Sequence, residues 1–149
     1  MSKKNPKLYS PQKSNNEKLY SEKRKSTGVR IGITYLDHKH YGLQHLFRVC
    51  RGNRQYLSDF EEFLYKAKQI NNFDLLIKTF GSHKKLCNED KRSKDKVKNL
   101  QEEYNLEVDN LIHLHCKGGG SGEFVLHGFQ IDNVFEIVWL DPTHDIHDE

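Results

Sequence analysis

Two apolar runs on either side of Asp132-Asn133, near the end of the chain, constrain its fold more than any other feature. Residues 124–131 (FVLHGFQI) and 134–140 (VFEIVWL) are rich in β-branched and aromatic side chains, and only two residues separate them. Asp and Asn both tolerate positive φ, so the pair suits a tight primed turn, and the spacing predicts a β-hairpin. A third run, 111–116 (LIHLHC), precedes them across KGGGSG and completes a predicted three-stranded meander. Pro142 cannot donate a backbone hydrogen bond, so pairing should stop near Asp141. Strict alternation would put Phe135, Ile137 and Trp139 on one face, against helices. Val134, Glu136, Val138 and Leu140 would take the other, more exposed face. A two-residue turn would pair Ile131 with Val134, Phe129 with Glu136 and His127 with Val138, which leaves His127 opposite the core.

Upstream, the period changes. Residues 29–36 (VRIGITYL) predict an early strand, and 46–50 (LFRVC) are too short for periodicity to choose between strand and helix. Ser58 with Glu61 fits a capping box, followed by Phe60, Phe63, Leu64, Ala67 and Ile70 at helical spacing. Phe73, Leu76, Ile77 and Phe80 predict a second helix, with Gly81 as a left-handed cap. Residues 83–103 are mostly charged, with Val97, Leu100 and Tyr104 as one thin apolar stripe, which predicts a solvated helix. The expectation is a single α+β domain over 28–149, with helices packed on a small antiparallel sheet. Its core should contain Ile31, Ile33, Phe60, Phe63, Leu64, Leu76, Phe80, Leu126, Phe129, Phe135, Ile137 and Trp139.

Charge divides the chain. Residues 1–27 carry eight Lys/Arg against two Glu, a net of +6, which leaves −3 for the other 122 residues of a chain whose net charge is +3. With so few bulky apolar groups this segment is expected to be a disordered basic tail, able to contact RNA or a protein partner. It also repeats KLYS at 7–10 and 18–21. No apolar run approaches the roughly 20 residues a membrane helix needs, and the N-terminus lacks the apolar centre of a secretory signal, so a cytoplasmic protein without membrane contact is expected. Cys50, Cys87 and Cys116 are widely spaced and suit unpaired thiols. KGGGSGEF at 117–124 matches no phosphate-loop fingerprint and suits a hairpin loop.

Histidines carry the candidate chemistry. His113 and His115, two apart on a strand, share a face; His127 lies on the next strand, and His144 and His147 follow the third, near Asp141 and Asp145. Imidazole and carboxylate groups suit a divalent metal, yet no HExxH or CxxC spacing is present, and neither a metal ligand nor a cofactor is assigned. A histidine just beyond the last strand could transfer protons in RNA cleavage, oriented by Asp141 or Asp145. The competing expectation is a plain Asp-Pro turn, with the Asp141 side chain capping backbone amides and the chain running outward, so that His144 stays apart from His127. Cys116 is discounted as a nucleophile, because adjacent strand residues face opposite ways and His115 cannot activate it.

The stretch HGFQIDNVFEIVWLDPTHDIH, a hairpin ending in Leu-Asp-Pro and a histidine, resembles the ends of small bacterial and phage proteins of unknown function. It is also broadly similar, over residues 110–147, to the closing strands of RelE/ParE-type ribonuclease toxins. That resemblance implies helices preceding an antiparallel sheet and an action on RNA, with His144 at the terminal catalytic position and His127 as a helper. Residues 124–149 contain no Lys or Arg, whereas such toxins present several on the sheet. Two functions follow as expectations: a toxin-like or defence-associated protein acting on RNA by histidine acid-base chemistry, or a non-catalytic module binding protein or nucleic acid.

Overall fold

A computed structural model describes residues 28–81, 91–119 and 122–147; the 1–27 tail and its KLYS repeats lie outside the described residues. The element order is β1 (Arg30–Gly32), α1 (Leu43–Cys50), α2 (Gln55–Ala67), α3 (Phe73–Phe80), α4 (Lys91–Tyr104), β2 (Ile112–His115), β3 (Val125–Ile131), β4 (Val134–Asp141) and a short 3-10 turn (Asp145–His147). Among the described residues no helix is long and apolar enough to cross a membrane.

The fold is α+β, but the sheet is mixed, in the order β1-β4-β3-β2. β2, β3 and β4 pair antiparallel in sequence, whereas β1 lies parallel to β4, with Arg30 opposite Val134 and Gly32 opposite Glu136. The expected all-antiparallel sheet is therefore corrected. Among the described residues four helices and two strands lie between β1 and β4, which gives the chain the long crossover that a parallel pair requires.

Both faces of the sheet are covered. On the first, α1, α2 and α3 pack Leu46, Phe63, Ala67, Leu76 and Phe80 against Leu114, Leu126, Phe135, Ile137 and Leu140. On the second, Leu100 of α4 meets Val108, Leu111, Phe129, Val138, Trp139 and Ile146. The hairpin register matches expectation at its turn, where Ile131 pairs with Val134 and Phe129 with Glu136. It then slips: Gly128 pairs with Ile137 but His127 with Trp139, so Val138 is an extra residue on β4. This bulge reverses the phase of everything after it. Trp139 moves to the second face and Leu140 to the first, opposite to strict alternation. Gly128 permits the slip, because a Cβ there would collide with the Glu136 carbonyl and the Phe135 ring.

Several local expectations are revised. Helix α2 begins at Gln55 and not at Ser58; the Asn53 side chain accepts from the Gln55 amide at 3.0 Å, so the Ser58–Glu61 box lies inside a helix already started. Leu64 and Ile33 are 37% and 55% exposed and lie outside the core, while Ile31 and Phe60 are partly buried at its edge. Residues 46–50 are helical, within α1. Gly81 is extended (φ −72°), not left-handed, and bridges Leu114, where a side chain would meet the Ile77 carbonyl.

Candidate functional site

The second face carries the histidines. Strand alternation sends His113 and His115 of β2 to this face, and the register sets His113 beside His127 and His127 beside Trp139. The next row along the strands pairs His115 with Val125 and Val125 with Asp141. Ring centroids lie 4.7 Å apart for His113–His115, 5.1 Å for His113–His127 and 5.8 Å for His127–Trp139.

Beyond β4 the chain turns back instead of running outward. Asp141, fully buried, accepts hydrogen bonds from the Asp145 amide at 2.9 Å and the Ile146 amide at 3.1 Å, which starts the 3-10 turn. Ile146 is the anchor; it is 3% exposed and sits in the second core cluster. His144 takes a left-handed φ of 60° to make the return. That conformation is uncommon for a non-glycine residue, though histidine adopts it more readily than most. The imidazole then lies 5.2 Å from the His113 ring and 5.7 Å from the His115 ring. The outward course is thus overturned, because one buried isoleucine and one capping carboxylate outweigh the solvation of the acidic end. Asp141 plays both roles that the sequence suggests, since it caps amides and also receives a 3.3 Å bond from His127 Nε2.

The hydrogen bonds fix protons. His115 Nδ1 faces the Gly122 carbonyl at 3.0 Å, and a carbonyl can only accept, so Nδ1 carries the hydrogen. Burial holds the His115 pKa below the ordinary histidine value; the Gly122 bond opposes this, and the neighbouring His144 adds to the lowering. A neutral His115 with its proton on Nδ1 presents Nε2 as acceptor, and His113 Nε2 donates to it at 3.1 Å. His127 Nε2 in turn donates to Asp141. Burial alone would raise the Asp141 pKa, but the bonds from His127, Asp145 and Ile146 outweigh it and hold the carboxyl below its usual value.

His127 is completely buried and His115 nearly so, whereas His113 and His144 are half-buried, His144 with its Nε2 shut off from solvent. Among the described residues no group of three or more His, Cys, Asp or Glu side chains is arranged to hold a metal ion. Cys116 faces the other way, in the first core cluster, where burial and the Asp59 carboxylate push its thiol well up in pKa. A reactive thiolate is therefore disfavoured there.

Sequence reasoning missed Asp37. Its carboxylate accepts from the Lys39 amide (2.9 Å), Trp139 Nε1 (3.3 Å) and Lys96 Nζ (3.2 Å), tying the loop after β1 to β4 and α4. Burial raises its pKa, but these bonds win and the carboxyl stays below its usual value. Two backbone bonds reinforce the tie, Asp37 N to Val138 O at 2.9 Å and Leu140 N to Tyr41 O at 2.7 Å. With Lys96 59 residues away and Trp139 102 away, no local signal could have shown this.

No protein-family model, curated protein or solved structure matches this chain. Function rests on the geometry.

Proposed function

We propose that the protein is a toxin-like or defence-associated enzyme that cleaves RNA by histidine acid-base catalysis. His144 and His113 are the groups that touch the substrate. The observation that carries this reading is the return of His144 onto the His113–His115 pair through a left-handed backbone. Phosphodiester cleavage by the 2′-hydroxyl needs two proton transfers: a base removes the hydroxyl proton, and an acid delivers one to the departing 5′-oxygen. The products are a 2′,3′-cyclic phosphate and a free 5′-hydroxyl. Imidazoles suit both tasks near neutral pH. His144 takes the 2′-hydroxyl proton as base, and His113, whose Nε2 donates to neutral His115, uses its other ring nitrogen to give a proton to the departing 5′-oxygen. His127 is too deeply buried to touch RNA; it acts as a positioning residue, holding Asp141 and hence the turn that carries His144.

The test is cleavage of a labelled RNA by wild type and His144→Ala, with thermal unfolding as the fold control. Loss of one general acid or base should slow cleavage by about 10²–10⁴-fold with the fold intact. Equal rates, or no cleavage by wild type, would overturn the reading in favour of a non-catalytic binding module.

A further inference from the structure

A second feature lies beside the histidine group and has a different chemistry. The loop after β1 and the start of α1 enclose a cleft of about 250 Å³ lined by His38, Lys39, His40, Gln44, His45 and Arg48, with Tyr41 on its wall. None of the lining side chains is acidic. Among the described residues neither Lys39 nor Arg48 has a carboxylate partner, although ion pairs form elsewhere, at Lys96–Asp37 and Lys66–Glu62. His45 Nε2 is shut off from solvent without a hydrogen-bond partner among the described residues. Lys39 and Arg48 are exposed, so an anion in the cleft would meet two cations that no carboxylate of the described residues neutralises.

The cleft is also preformed. Asp37 holds the Lys39 and His40 amides, Gly42 closes on the Asp37 carbonyl where any side chain would collide, and the Tyr41 carbonyl is bonded to β4. Tyr41, on the cleft wall, packs on Trp139 at 6.5 Å and Trp139 on His127 at 5.8 Å, so a chain of ring contacts joins the cleft to the histidine group.

We infer that this cleft is a phosphate subsite that grips the backbone of a single-stranded RNA next to the histidine group; the inference rests on the RNA reading above. Lys39 and Arg48 supply the charge, the histidines supply ring nitrogens as donors, and a lining without acids makes the site selective for polyanions. The body of the protein is mildly acidic overall, so this cleft concentrates positive charge where the sequence average hides it.

The probe is a short fluorescent 2′-O-methyl oligonucleotide, which binds as RNA does but cannot be cut through its 2′-position. Anisotropy titrations between about 50 and 200 mM salt should show the full-length Lys39→Gln/Arg48→Gln variant binding more weakly across all sequences. Its salt slope should be shallower by roughly 0.7 for each phosphate that the variant no longer neutralises. Titration of inorganic phosphate should shift the His45 ring resonances of wild type and leave those of the variant in place. Unchanged affinity and slope in the cleft variant overturns the subsite even if His144 proves catalytic. Weakened binding with an unmoved His45 signal also overturns it, because the phosphate is then gripped elsewhere. Weakened binding with the His45 shift, in a protein that cuts no RNA, upholds the subsite and sinks the catalytic reading alone.

Discussion

The two faces of the sheet are built from the same strands and yet do different work. The first face is dry and aromatic: under α1, α2 and α3, Phe63 meets Phe80 edge-on at 4.7 Å and Phe73 lies 6.2 Å from Phe135. The second face buries His127, Glu136 and Asp141 among Phe129, Val138 and Trp139. Each of these polar groups is bonded: Glu136 accepts from the Thr34 amide at 3.0 Å, and His127 and Asp141 hold each other. Burying a polar group costs free energy unless it is hydrogen-bonded, so the second face gains less from burial than the first. The comparison teaches a division of labour in which α1–α3 stabilise the sheet and the α4 side can use its burial for chemistry.

The sharpest way to break that division is Phe135→Ala, on the dry face. Phe135 is fully buried between Phe73 and the β3 backbone at Gly128, so truncation should cost about 3–5 kcal/mol in urea unfolding, enough to unfold a marginal domain. A loss below about 1 kcal/mol would mean that the first face is not the main source of stability.

Asp141→Asn tests the other face, with a smaller expected loss of about 1–3 kcal/mol, because an amide keeps one acceptor while His127 Nε2 or one of the turn amides loses its charged partner. The pH dependence has a definite sign. The folded carboxyl pKa lies below the unfolded value of 3.8, so the folded state binds its proton less readily. Its contribution is complete above about 3.8 and is lost as pH falls through the folded pKa. Unfolding curves of the variant should show a weaker fall in stability over that acid range. A fall as steep as in wild type would remove Asp141 from the role assigned to it.

The same contrast explains what was legible in the sequence. The dry face follows from periodicity: Phe63, Leu76, Phe80, Leu126, Phe135 and Ile137 are expected in the core and are buried there. The hairpin turn was legible because Asp132, with φ 49°, is the residue type such a turn needs. The bulge at Val138 was not, since alternation carries no mark of an inserted residue, and it is the bulge that sends Trp139 to the histidine side. The histidines were legible as a set, on strands of known parity, but their meeting depends on Ile146, a single apolar residue among acids whose anchoring value appears only once Leu111 and Trp139 make a pocket for it. The loop held by Asp37 depends on contacts across 102 residues of sequence and left no local trace.

The smallest expected effect separates the faces most finely, because it is a slope and not a loss. His115 is buried on the second face, and its folded pKa lies below the ordinary 6.5, first through burial and then through the charge of His144, with the Gly122 bond opposing both. The unfolded chain therefore takes up a proton at this position before the folded protein does. Stability should fall as pH drops through 6.5 and level off once pH passes below the folded pKa. His115→Gln removes the titrating ring while keeping an amide donor for the Gly122 carbonyl, so its stability should vary less than that of wild type when urea midpoints above and below pH 6.5 are compared. Phe135→Ala, if it folds, should keep the wild-type slope, because the apolar side chains around Phe135 do not titrate in that range. Equal slopes in wild type and His115→Gln would show that His115 is not the group that senses pH.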